Sequence, residues 1–150
     1  MLDDMLCLAL HTASRTMTAR YRPALQQLGL TYPQYLVMVL LWQEGPSTVG
    51  QVGSRLGLES STLSPLVKRL EVAGLVGRTR SPRDERQVTV SLTPRGEAMR
   101  AEAAHIPEQI CDAAGLEQQQ EHDLVGQLRA LADRLERSTA AASDPAAANS

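Results

Sequence analysis

Mainly α with one small β-hairpin is the fold class that the sequence predicts, and three observations predict it. Only four of the 150 residues are aromatic, Tyr21, Tyr32, Tyr35 and Trp42, with no Phe, which is too few for a β-sandwich or barrel. Apolar residues recur at helical spacing along most of the chain. Strand-like alternation is confined to residues 75–93. An apolar content of 43% is enough for the core of one domain, and 15 Lys and Arg against 17 Asp and Glu exclude a disordered acidic or basic tail protein. Two cysteines exclude a disulfide-rich secreted scaffold. No apolar run approaches ~20 residues and no basic-then-apolar leader opens the chain, so a cytoplasmic protein with reduced thiols is expected.

Each element has its own signals. Residues 3–28 form a first helix, with Asp3 and Asp4 at its positive end and Leu6, Leu10, Ala13 and Met17 on one face; Gly29 stops it. Thr31 and Gln34 make a capping box for a second helix, which carries Leu36, Val39, Leu40 and Trp42 and ends at Gly45-Pro46. Thr48 caps a short third helix with Val49, Val52 and Leu56 on one side, closed near Gly57. After a connection at 58–61, a fourth helix carries Leu63, Leu66, Val67, Leu70 and Val72 and stops at Gly74. Pro65 predicts a bend in it, and Ser60 or Ser61 is expected to cap it.

Residues 75–93 then read as a hairpin with a basic polar tip, in which Val88, Val90 and Leu92 alternate with polar residues. Thr93-Pro94 opens a long helix that Pro107 bends or breaks. A last helix, about 117–137, carries Leu124, Leu128, Leu131 and Leu135 as a narrow seam for a partner helix. Residues 140–150 read as a disordered tail.

Two helices joined by a short turn and followed by a hairpin make a winged helix-turn-helix, here residues 31–93. Helices at 1–30 and 94–139 are left with apolar faces that a homodimer would cover. Charge supports a nucleic-acid partner. Residues 55–96 carry eight bases against four acids, whereas residues 97–150 carry four bases against ten acids. Ser60, Ser61, Thr62 and Ser64 lie at the start of the fourth helix, the end that enters a major groove in such folds. Lys68 and Arg69 follow one turn later as phosphate contacts, and Arg78, Arg83 and Arg86 belong to the hairpin. Asp84 pairs with Arg86 in an expected wing salt bridge.

The segment from Asp84 to Arg86, continuing through Leu92-Thr93-Pro94-Arg95-Gly96, resembles the wing and following helix of MarR-type regulators, and LSPLVKRLEVAGLV at 63–76 resembles their recognition helix. Cys7-Leu8-Ala9-Leu10, Tyr21-Arg22-Pro23 and LTYPQYLVMVLLW at 30–42 are similar to the organic hydroperoxide regulators (OhrR) of the two-cysteine class. The resemblance covers about residues 5–137. It implies a repressor, dimeric on an inverted-repeat double-stranded DNA operator, with Cys7 as the peroxide-sensing thiol. Tyr21 and Tyr32 are implied as hydrogen-bond donors to that sulfur, and Cys111 as the resolving thiol, bonding across the dimer. Tyr35 is the core-filling tyrosine. His11 stands where some relatives carry a third tyrosine.

Chemistry alone leaves Cys7 open. A free cysteine is commonly a small buried hydrophobe. The start of a helix favours a thiolate, Asp3 and Asp4 disfavour it, and His11 one turn on would favour it if protonated. Cys111 by itself reads equally as a buried structural residue. His11, His105 and His122 show no metal-ligand spacing. With no catalytic triad, phosphate loop or paired carboxylates, neither an enzyme nor a cofactor is expected. One alternative is a MarR-type repressor released by a non-covalent small aromatic ligand. Another is a protein-interaction module built on residues 94–137.

Overall fold

A computed structural model of the chain describes residue 2, residues 4–80, residue 84 and residues 87–142. In order, the elements are α1 (Leu6–Gln27), α2 (Tyr32–Glu44), β1 (Ser47–Thr48), α3 (Val49–Leu56), α4 (Ser60–Val72), β2 (Val76–Arg80), β3 (Val88–Leu92), α5 (Pro94–Ala103), α6 (Ile106–Ala114) and α7 (Gln118–Ala142). The chain divides into two compact units after Ile106. The fold is mainly α with a small antiparallel sheet, as the sequence predicts.

In the first unit α2 is the centre. Tyr35, Val37, Met38, Leu40 and Leu41 are all buried, and burying each large aliphatic side chain contributes about 1.5–3 kcal/mol. Of Leu36, Val39, Leu40 and Trp42, Leu40 is buried and the other three are half-buried. A helix apolar all round gives no periodic signal for its deepest side. Around α2 pack Leu25 of α1, Val52 of α3, Leu63, Leu66, Val67 and Leu70 of α4, Val90 of β3 and Met99 of α5.

The capping box at Thr31 and Gln34 is formed, with Thr31 N donating to Gln34 Oε1 at 2.8 Å. A second box joins Thr48 and Gln51 at the start of α3. Gly29, Gly57 and Gly74 close α1, α3 and α4 with positive φ.

Several expectations need correction. α1 begins at Leu6 behind Met5, which makes no side-chain cap, so it starts three residues later than expected; Asp3 lies outside the described residues. Neither Ser60 nor Ser61 is the cap of α4. Glu59 already has the extended backbone of an N-cap, without a side-chain bond, and the serines are the first helical residues. α4 runs as one helix through Pro65, which lies in its second turn and removes one backbone hydrogen bond there. Val72, the last residue of α4, is 82% exposed. The break after α5 falls at Ala104-His105, and Pro107 sits in the first turn of α6, a position that needs no backbone N–H. α7 continues through Ala142, so residues 140–142 are helical; residues 143–150 lie outside the described residues.

The sheet has the order β1-β3-β2. Val76 pairs with Leu92 and Arg80 with Val88, while Ser47 pairs with Val90 on the other edge. β1 was not legible in the sequence, because two residues carry no period. Of the alternating residues Val88, Val90 and Leu92, Val90 is fully buried and the other two are half-buried. No described helix is long and apolar enough to cross a membrane.

Candidate nucleic-acid interface and thiol sites

The α3-turn-α4 unit depends on one close approach. Gly57 takes φ +63, and Leu58 N donates to Gly53 O at 2.9 Å, folding the turn back onto α3. A Cβ on Gly53 would lie 2.8 Å from Leu58 O and 3.5 Å from Leu63 Cδ2. Only glycine lets α4 sit this near. The amphipathic pattern of α4 then decides what faces outward. With Leu63, Leu66, Val67 and Leu70 buried, Ser60, Ser61, Thr62, Ser64, Lys68 and Arg69 are all exposed.

A cleft of about 440 Å³ opens between the starts of α3 and α4 and the hairpin, lined among others by Thr48, Gly50, Ser60, Ser64, Arg78 and Gln87. Two helix N-termini, hydroxyls and one guanidinium border it, a lining suited to an anion. Thr48, Gly50 and Gln87 were not singled out from the sequence. Thr48 reads there only as a cap, and only the folded hairpin brings Gln87 beside it.

Arg78 is not a bare cation. Its Nε donates to Glu71 Oε2 at 2.9 Å, and its Nη2 lies 2.6 Å from the same oxygen. This hydrogen bond holds the Glu71 carboxyl below its ordinary range, with the Arg78 and Lys68 charges acting in the same direction, and it raises Arg78. The pair ties β2 to the end of α4. Arg83 and Arg86 lie outside the described residues, and so does the expected Asp84–Arg86 bridge; Asp84 itself is exposed.

The thiol residues are placed separately. Cys7 is exposed near the start of α1, and Cys111 is half-buried in α6 of the second unit; both are free. The Cys111 thiol donates a hydrogen bond to the Glu121 carboxylate of α7. That bond, then desolvation, then the charges of Glu121 and Asp112, push its pKa up.

Tyr21 and Tyr32 rings lie 5.0 Å apart, and Tyr21 and Tyr35 5.8 Å apart, at the α1–α2 contact. Tyr35 fills the core at 4% exposure, as expected. Burial raises Tyr32, so its hydroxyl remains a donor at neutral pH. Among the described residues no cluster of histidine, cysteine or carboxylate could hold a metal.

Residues 19–102 match the family described as transcriptional regulator SarA/Rot. The organic hydroperoxide resistance transcriptional regulator of Bacillus subtilis (strain 168) is 45% identical over 123 residues, 82% of each chain. Among solved structures, reduced AbfR bound to DNA superposes with TM-score 0.75 at 34% identity, covering 89% of this chain and 94% of that one. Disulfide-formed AbfR gives 0.61 at 36%, covering 87% and 91%; AbfR is from Staphylococcus epidermidis. BpsR of Bordetella bronchiseptica, whose DNA binding is regulated by 6-hydroxynicotinic acid, gives 0.76 at 26%, covering 85% and 98%.

Proposed function

The chain belongs to the SarA/Rot family of MarR-like winged-helix regulators and is a DNA-binding transcriptional regulator; from that premise we propose that it is a homodimeric repressor released when an organic hydroperoxide oxidises Cys7. One observation carries the reading. Cys7 is exposed near the start of α1, beside Leu6, which is 61% exposed in the single chain. In the single chain the sulfur is open to an oxidant, and the adjacent Leu6 and Leu8 offer an organic one an apolar approach.

In the reduced dimer, Ser60, Ser61, Thr62 and Ser64 meet base edges in the major groove, and Lys68 and Arg69 hold phosphates. Arg78, Arg83 and Arg86 serve from the wing, with Asp84 orienting Arg86. An operator of two inverted half-sites matches the two-fold axis. The Cys7 thiolate attacks the distal peroxide oxygen. The O–O bond breaks, the alkoxide leaves and takes a proton as alcohol, and the sulfur becomes a sulfenic acid, oxidised by two electrons. Cys111 of a second copy then displaces water to give a disulfide.

Cys7 and Tyr21 lie on one continuous helix, about 21 Å apart along its axis. Within one chain that hydroxyl cannot reach that sulfur. In this reading the donating Tyr21 therefore comes from the second copy, so the sensing site itself requires a dimer. A disulfide brings Cα atoms within ~7 Å, and any helix movement this demands would re-space the recognition helices and lose the operator.

The test is release of operator DNA by an organic hydroperoxide. Wild type is expected to dissociate and to give a covalent dimer on non-reducing electrophoresis, Cys7→Ser to stay bound, and Cys111→Ser to form no covalent dimer. A Cys7→Ser protein that still leaves its DNA would defeat the proposal. The likeness to BpsR favours a second reading, release by a small aromatic ligand. That ligand would dissociate DNA with both thiols still available for labelling.

A further inference from the structure

We propose that Arg95 and Thr93, at the start of α5, are positioning residues for the recognition helix: they hold the carbonyls just past the end of α4 and so set how its serine-rich start is presented to DNA. α4 ends in a left-handed turn, with Gly74 at φ +72 and Leu75 N donating back to Leu70 O at 3.0 Å. Such a turn leaves the carbonyls just beyond the helix pointing away from it.

The start of α5 supplies a donor to each of three successive carbonyls. Arg95 Nη1 donates to Ala73 O at 3.0 Å, Thr93 Oγ1 to Gly74 O at 2.7 Å and Thr93 N to Leu75 O at 3.0 Å. The same Thr93 hydroxyl accepts from Gly96 N at 3.1 Å, so one oxygen ends α4 and caps α5. The Arg95 charge also stands at the negative end of the α4 dipole.

The joint is fixed from a third side. A Cβ on Gly96 would lie 2.0 Å from Leu75 O, so the helix start and the turn touch backbone to backbone. Trp42 Nε1 of α2 donates to Gly96 O at 2.9 Å. α4 is 13 residues long, about 20 Å, so a tilt of about 5° at this joint would move its far end by roughly 1.7 Å. Direct readout of base edges tolerates less than that. Arg95 therefore acts at the end of α4 opposite Ser60, through a backbone carbonyl rather than through a phosphate.

The inference rests on DNA binding through α4 and is independent of the redox step. The probes are a duplex carrying a sequence selected in vitro by the full-length wild-type protein and a random-sequence duplex of equal length. Arg95→Gln is expected to weaken binding to the selected duplex about tenfold, leave the random duplex unchanged, and leave the slope of log K against log salt unchanged. Arg95→Lys, which keeps a charged donor, should recover most of the loss. Trp42→Phe, which keeps the ring but removes the bond to Gly96, should show the same pattern with a loss of about threefold, and it serves if Arg95→Gln fails to fold. Equal weakening on both duplexes with a slope shallower by about 0.9 would make Arg95 a phosphate contact and overturn the proposal. Folded variants with unchanged discrimination would overturn it too. A wild-type chain that selects no sequence would defeat the DNA-binding reading itself, and the proposal with it.

Discussion

Glu121 holds the proton on Cys111. The hydrogen bond between them is the largest cause of the raised thiol pKa, so Glu121→Ala should lower the pH midpoint for alkylation of Cys111 by iodoacetamide. Unchanged labelling would show that the carboxylate does not control this thiol. The sign for stability follows from linkage: a thiol raised in the folded state adds stability that is present below its unfolded value and is lost as pH rises through the folded one. Two glycines give a sharper contrast. Gly→Ala inside a helix ordinarily stabilises by up to about 1 kcal/mol. Gly126 has nothing within 4 Å of an added Cβ, so Gly126→Ala should gain roughly 0.5–1 kcal/mol. At Gly53 the backbone oxygen of Leu58 stands in the way, and Gly53→Ala should lose about 1–3 kcal/mol. Denaturant melts of the two variants check the opposite signs. No pattern in the sequence separates these two glycines, since each lies within a helix; the difference is the neighbour that folding brings.

At the scale of elements, the Glu71–Arg78 pair joins β2 to the end of α4. Both side chains are more than a third exposed, so the pair adds little to stability. Its effect falls on DNA binding, because Arg78 spends its charge on Glu71. Glu71→Gln should therefore tighten binding to random-sequence DNA and steepen the salt slope by up to about 0.9, measured by fluorescence titration at several salt concentrations. A flat response would mean that Arg78 faces no phosphate. The pH sign is that of a depressed carboxyl: the pair is fully formed at neutral pH and is lost as pH falls below the ordinary 4.5 and through the lower folded value. The caps at Thr31 and Thr48, the closing glycines and the hairpin were legible in the sequence, because each is written in neighbouring residues. The start of α4 was misread because two serines look like a cap, whereas Glu59 already takes the extended backbone. β1 and the α4–α5 joint were missed because their partners are far apart in the chain.

For the molecule as a whole, the unburied apolar residues matter most. Leu124, Leu128 and Leu135 on α7 are 42%, 41% and 58% exposed, and Leu6 and Met17 on α1 remain similarly open. A second copy covering these faces is part of the proposed function. Leu128→Asp is expected to shift the protein from dimer to monomer by light scattering at micromolar concentration. Operator affinity should drop by about two orders of magnitude, since one half-site contact would be lost. A variant that stays dimeric would remove the α7 seam from the interface.

What the sequence determined by itself is local: the caps at Thr31 and Thr48, the glycines that close α1, α3 and α4, which short segment alternates as strands, and that basic residues concentrate around α4 and the hairpin. These follow from capping, periodicity and charge, all properties of residues a few positions apart. Tertiary structure alone decided that Arg78 is paired with Glu71, that Gly53 and Gly96 carry close backbone contacts, and that the end of α4 hangs from Thr93, Arg95 and Trp42. Those are meetings of distant residues, and a one-dimensional pattern carries no distance between them.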